Sequence, residues 1–308
     1  MKLDLSNRGL TTLQGIDFPD NITKLDVSNN LLTSLQYCPD NIEVLYCERN
    51  QLTSLQYCPE NLKKLYCIYN QITSLQYCPD NILELYIFRN RLTSLKYCPI
   101  NLEYLDCTWN RLTSFRYCPN TIKTILCNRN KLVSLKYCPK SLSSLSCDNN
   151  QLVSLKYCPK SLNSLSCSNN QLISLQYCPE GLRTLRCRVN QLTSLKYCPP
   201  NLQVLDCSYN HLTSLQDLPK YIKRLYYKGN PLSYEYENKG LNEIILINHC
   251  KRFKHGLNIV HNLIIDQKAR VIQRCWDNYW YRPDEQGVSR HALQGIQIME
   301  HDGISIIK

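Results

Sequence analysis

Nineteen cysteines in 308 residues are the first candidates for chemistry, because a thiolate can act as a nucleophile, ligate a metal or enter a disulfide. Seventeen of them fall into two columns with a 20-residue spacing, Cys38 to Cys198 and Cys47 to Cys207. The columns themselves test each chemistry. At its ends the first column becomes Phe18 and Leu218, and where Cys is missing the second carries Leu5, Val27, Ile87 or Tyr227. A position that exchanges Cys for hydrophobic residues uses it as a small apolar side chain. Ile87 would leave a neighbouring thiol without a disulfide partner, and no Cys-x-x-Cys zinc spacing occurs. The columns therefore read as reduced core thiols, with no metal and no cofactor. The six histidines are scattered. With no Gly-rich phosphate loop and no zinc-binding His-Glu pair, no catalytic residue is assigned.

The elements that carry these columns follow from the same period. In Ile42-Glu43-Val44-Leu45-Tyr46-Cys47-Glu48-Arg49-Asn50-Gln51-Leu52-Thr53-Ser54-Leu55-Gln56-Tyr57-Cys58-Pro59 each position returns 20 residues later, with few exceptions, as far as Leu215. Asn recurs without a break from Asn30 to Asn230. Alternation over residues 44–48 predicts a short strand that turns Leu45 and Cys47 inward and Val44, Tyr46 and Glu48 outward. Leu52 and Leu55 add two inward side chains on the return path, and Pro59 suits a turn or extended backbone outside the ladder. One such unit cannot bury its own apolar face, so the units must stack with their strands parallel. The register fails just after Leu232, where Glu235 stands in the Leu215 column.

This pattern, L-x-x-L-x-L-x-x-N-x-L with Cys at the third hydrophobic position, resembles the leucine-rich-repeat family over residues 2–232, about twelve repeats. The short unit and its proline are similar to the bacterial-effector subclass. The Tyr-Cys-Pro variant and the tail sequence Ile272-Gln273-Arg274 look most like leucine-rich-repeat proteins of giant, Mimivirus-like DNA viruses. The resemblance implies an α/β leucine-rich-repeat solenoid, a curved right-handed superhelix with parallel strands on its concave face. The solenoid would occupy residues 1–232, and a small helical C-terminal cap and tail residues 233–308. It further implies that each Asn amide satisfies buried backbone groups of the neighbouring coil. The function implied is a non-enzymatic scaffold for protein–protein interaction.

Outward strand positions vary without harming the core, so they carry the functional information. Tyr46, Tyr66, Tyr69, Tyr86, Phe88, Arg89, Tyr104 and Trp109 cluster in the first half of the array, and these types are enriched at interface hot spots. Tyr46, Tyr66 and Tyr86 are expected about 5 Å apart on adjacent strands. These eight residues form the predicted partner-binding site, although tyrosines also pair across strands with no ligand. The same positions at Ser144, Ser146, Asp148, Ser164, Ser166 and Ser168 are chemically plain.

The net charge of +11 lies mostly in the repeats: residues 1–230 hold 26 Lys and Arg against 16 Asp and Glu. Between 107 and 179 the one acid is Asp148, against nine bases from Arg111 to Lys160. Phosphates or an anionic surface are an alternative ligand for that section. No nucleic-acid motif is present, and the bases sit at scattered repeat positions, which argues against it. No apolar run reaches the roughly 18 residues that cross a bilayer, and Met1-Lys2-Leu3-Asp4 enters the pattern without a signal-peptide region. The protein is expected to be intracellular rather than secreted, in the host cytoplasm if it is viral.

Residues 241–282 read as helical, with Gly256 separating two helices and Pro283 ending the second. Ala269-Arg270-Val271-Ile272-Gln273 resembles the start of a calmodulin-binding IQ motif, with Arg282 at its later basic position. Asp277 and Asn278 depart from the motif and argue against calmodulin-type binding. Cys275-Trp276-Asp277 matches the Cys-x-Asp triplet of effectors that join similar repeats to a ubiquitin-ligase domain, which keeps a ligase-type effector as an alternative. The roughly 75 residues after the repeats are too few for that catalytic domain.

Overall fold

Twelve three-residue strands, one per coil, form a single parallel sheet in chain order. They are β1 (Lys2–Asp4), β2 (Lys24–Asp26), β3 (Val44–Tyr46), β4 (Lys64–Tyr66), β5 (Glu84–Tyr86), β6 (Tyr104–Asp106), β7 (Thr124–Leu126), β8 (Ser144–Ser146), β9 (Ser164–Ser166), β10 (Thr184–Arg186), β11 (Val204–Asp206) and β12 (Arg224–Tyr226). A 3-10 turn at Tyr234–Tyr236 and helix α1 (Leu241–Leu263) follow. The computed structural model describes residues 1–263. Strict 20-residue spacing makes each pair meet like with like, Leu45 beside Leu65 and Leu65 beside Leu85. Pairing continues past the short strands: Cys47 N–H donates to Tyr66 O and Arg49 N–H to Ile68 O, both at 2.8 Å.

Inside each coil the alternation does what the sequence predicts. Ile42, Leu45, Cys47, Leu52 and Leu55 are fully buried, and the equivalents in neighbouring coils are too. Each such Leu or Ile contributes about 1.5–3 kcal/mol. At the N-terminal end the Cys38 column needs a correction. Ile16 N–H donates to Leu13 O as Cys38 N–H does to Leu35 O, so Ile16 holds the place assigned to Phe18. The cause is the longer first coil, which pairs Leu3 with Leu25, so counting back 20 residues overshoots.

The polar side chains admitted to this core are chiefly the asparagines. Asn110 Nδ2 donates to Cys107 O in its own coil and to Ile87 O in the preceding one, both at 3.0 Å. Its Oδ1 accepts from Leu92 N–H at 2.9 Å. The same three bonds recur from Asn50 to Asn210. One amide thus satisfies three backbone groups that the turn would otherwise strand away from water. Asn110→Ala is expected to lower the unfolding free energy by roughly 3 kcal/mol, since each buried group left unpaired costs about 1–3 kcal/mol. Urea denaturation monitored by circular dichroism measures this.

Two turns per coil use left-handed backbone. The residue before each Asn has φ between 51° and 55° from Asn29 to Tyr209, and nine tyrosines from Tyr37 to Tyr197 have φ of 66–71°. The second turn closes with Cys58 N–H donating to Leu55 O at 3.0 Å, the type II arrangement whose third residue favours Gly. Gly15 occupies that place in the first coil at φ 74°, whereas later coils put Tyr there. At the first turn Val189, β-branched at φ 52°, is the most strained choice, because Asn29, Asn149 and Asn169 adopt the same backbone. Val189→Asn should stabilise the protein by about 1 kcal/mol, read as a raised thermal midpoint by scanning calorimetry.

After β12 the chain closes the last coil with its own side chains. Tyr236 and Ile244 are fully buried, and Tyr227 Oη donates to Lys239 O at 2.6 Å. Helix α1 starts at a half capping box, with Gly240 N–H donating to Glu243 Oε2 at 2.7 Å. That bond, then the Lys239 partner, holds the Glu243 carboxyl below its ordinary value. The first compact unit ends at Ile245 and the second begins at Leu246. Gly256 does not separate two helices: it lies within α1, one helix from Leu241 to Leu263. A single interior Gly weakens a helix by only about 1 kcal/mol relative to Ala, which is not enough by itself to end one. The IQ-like stretch 269–282 and Cys275-Trp276-Asp277 lie outside the described residues. Among the described residues no helix is long and apolar enough to cross a membrane.

Candidate partner-binding face

The eight predicted site residues form two adjoining ladders. In the first, ring centroids lie 4.7 Å apart for Tyr46 and Tyr66 and 4.3 Å for Tyr66 and Tyr86, with nearly parallel planes. The column ends at Asp106, and Tyr104 from the other end of β6 takes over, tilted 35° at 4.9 Å from Tyr86. These rings stand half-buried against one another on the outward side of the sheet. Charged neighbours fix the outer edges: Lys64 Nζ lies 2.7 Å from Glu84 Oε1, and Tyr86 Oη donates to Glu84 Oε2 at 3.1 Å. Burial among the stacked rings, then that hydrogen bond, raises the Tyr86 phenol above its ordinary value.

The second ladder runs along the left-handed turn position. Tyr69 has Arg49 at 4.8 Å from the coil before and Arg89 at 4.8 Å from the coil after. Trp109 has Arg89 at 4.6 Å and Arg129 at 4.4 Å in the same way. Phe88 meets Tyr69 edge-on at 5.4 Å and ties the two ladders together. Arg89 and Trp109 are exposed, Trp109 at 41%. Beside this ladder is a shallow, widely open cleft of about 510 Å³ lined in part by Tyr69, Gln71, Arg89, Arg91, Trp109 and Arg111.

Arg91, Arg111 and Arg129 also adjoin this face, beyond the eight residues that the sequence predicts. Their signal was positional: Arg129 shares the column of Arg49 and Arg89, and Arg91 and Arg111 share the column after the Asn. The plain stretch of the face is plain for a physical reason. Asn128 Oδ1 accepts from Ser146 Oγ and Asp148 N–H, and Asp148 Oδ1 from Ser166 Oγ and Ser168 N–H, all within 2.8 Å. Asn128, Ser146, Asp148 and Ser166 thus bond one another. Glu48, on the outward side, is half-buried with an unpartnered Oε2, and burial pushes its carboxyl up to about 7.

The basic column divides from this face. Lys96, Arg116, Lys136, Lys156 and Lys196 each lie 4.7–5.2 Å from the ring of the following tyrosine at the other left-handed turn. Those bases, and the cluster at Arg111 and Arg129, occupy different repeat positions.

The thiol columns are chemically quiet. Burial raises all of them, Cys98 to about 12, and several donate to backbone carbonyls, such as Cys127 Sγ to Ser146 O at 3.2 Å. Among the described residues no three His, Cys, Asp or Glu side chains gather as a metal site requires. Because the folded thiols titrate higher than unfolded ones, their stabilising effect is complete below about pH 8.5 and is lost as pH climbs towards the raised values. The thermal midpoint should hold up to about pH 8 and fall steeply above about pH 9. Alkylation near pH 8 followed by mass spectrometry should find exposed Cys250 modified and the column thiols spared until denaturant is added.

Residues 201–225 match the family pattern described as Leucine Rich Repeat. No curated protein matches the chain. Among solved structures, YopM from Yersinia enterocolitica WA-314 is similar at 32% identity and TM-score 0.63, over 75% of this chain and 56% of that one. The chain therefore spans a little over half the length of that relative. The internalin inlF from Listeria monocytogenes shares the fold at 22% identity and TM-score 0.63, over 76% and 75% of the two chains. The functional domain of InlJ from Listeria monocytogenes, described as including a cysteine ladder, shares it at 22% identity and TM-score 0.57, over 79% and 65%. The pattern match and the common architecture agree with the leucine-rich-repeat solenoid fold.

Proposed function

We propose that this leucine-rich-repeat solenoid is a non-catalytic scaffold that binds a protein partner through Tyr46, Tyr66, Tyr69, Tyr86, Phe88, Arg89, Tyr104 and Trp109. The observation that carries the reading is the pair of contiguous ladders, turned away from the core, in which ring stacking already fixes the side chains. Side chains ordered before binding lose little freedom on contact, so their buried area converts more fully into affinity. Tyr, Trp and Arg are also the types that dominate interface energetics. Lower-identity relatives contribute the architecture alone. An intracellular setting fits columns of free thiols, and a viral host cytoplasm rests on the Tyr-Cys-Pro and Ile-Gln-Arg resemblance. The ligase-type alternative rests on Cys275, since the raised column thiols are poor nucleophiles.

Replacing Tyr66, Tyr86 and Trp109 together by Ala should remove the partner from affinity capture while the far-UV circular dichroism spectrum stays the same. A partner recovered in undiminished amount by the triple variant would place the binding surface elsewhere.

A further inference from the structure

The Arg and aromatic ladder carries information about what the partner presents. Arg49, Tyr69, Arg89, Trp109 and Arg129 hold one position of five successive coils, all at φ 51–55°, and alternate cation with ring along the array. Each ring is approached by a guanidinium from both neighbouring coils at 4.4–4.8 Å. A guanidinium held over a ring keeps its N–H groups in its own plane, pointing outward as a rigid fork. Arg91 and Arg111 also line the adjoining cleft, at the repeat position that Gln71 holds one coil earlier. Among the described residues none of these five arginines pairs with a carboxylate, and no acid lines the cleft. Stacking orients Arg89, Arg91 and Arg111 add donors beside it, and the cleft is crowded with like charge and lined by no anion.

We propose that this cleft takes an acidic peptide segment of the partner, with Asp and Glu carboxylates received by the forks of Arg89, Arg91 and Arg111. The proposal rests on the reading of this face as a protein-binding surface and names the chemistry of what docks there. Bidentate pairing of a planar carboxylate with a guanidinium supplies the affinity and the orientation. Single-stranded nucleic acid fits the same charge but not the same geometry. It binds by stacking bases on aromatic faces, and here the faces of Tyr69 and Trp109 are covered by guanidinium groups.

The test uses the full chain and fluorescence anisotropy with three labelled probes: a decapeptide of alternating Glu and Ser, its Gln-for-Glu counterpart, and a ten-nucleotide thymidine strand. The acidic peptide should bind at least about ten-fold tighter than the Gln peptide, and its affinity should weaken with salt. Arg91→Gln with Arg111→Gln should reduce acidic-peptide affinity at least about ten-fold, about 1.4 kcal/mol. Lys136→Gln with Lys156→Gln, an equal change in net charge, should alter it less than about two-fold. Equal losses in the two pairs would show attraction to the overall positive field and overturn the assignment. So would equal binding of the Glu and Gln peptides, or tighter binding of the thymidine strand with the same dependence on Arg91 and Arg111. If a partner is still captured through Tyr66, Tyr86 and Trp109 while the acidic peptide does not bind at the cleft, this inference falls and the scaffold reading stands.

Discussion

A primary amide, which donates and accepts at once, is the group on which this array depends. Parallel coils of only 20 residues must turn sharply at the end of each three-residue strand, and the turn directs backbone N–H and C=O groups into a core of Leu, Ile and Cys. Water does not reach them. The Asn side chain supplies what water would have supplied, and it does so across the gap between coils, joining Asn110 to Leu92 and Ile87 of the preceding turn. Backbone pairing and apolar stacking both require the coils to sit in strict register, and the amide bonds form only in that register. The short repeat, the left-handed residue before each Asn and the exposed ladders that residue supports all follow.

The proposed binding surface uses that left-handed position. In most proteins it would be filled by Gly or Asn, as it is at Gly229 and Asn149. In coils 49–129 it is filled by Arg, Tyr and Trp, so a local backbone strain coincides with the most chemically distinctive part of the molecule. Strain of this kind persists where the surrounding structure over-determines the conformation, and here the backbone ladder from the residue's own N–H and the asparagine bonds of the next residue do so. Stacking between neighbouring coils then turns flexible side chains into a fixed pattern.

Much of this was legible from the residues. The unbroken Asn column and the exchange of Cys with Val, Ile and Leu at one position point directly to a stacked core, and Tyr46, Tyr66 and Tyr86 had to meet once the strands were parallel and in register. What escaped had identifiable causes. Period counting misplaced Phe18 because the first coil is longer. Gly256 reads as a break in the sequence, but one interior Gly costs a helix only about 1 kcal/mol and α1 runs through it. The left-handed tyrosines were invisible because Tyr carries no sequence signal for positive φ. Arg91, Arg111 and Arg129 lacked prominence because a cation becomes part of a site through the neighbour it lies beside, and the neighbours come from other coils.

The direction of the asparagine bonds has a consequence for how such an array can change. Every coil reaches backward to its predecessor with an identical set of groups, so a whole coil can be duplicated or deleted in the interior without stranding a partner. Length is a free variable wherever the outward residues are uniform, as among the serine coils around 144–168. It is not free between 49 and 129. One extra coil there would set cation beside cation or part an arginine from its ring, so the alternation fixes the phase of that segment while the rest of the array can lengthen or shorten around it.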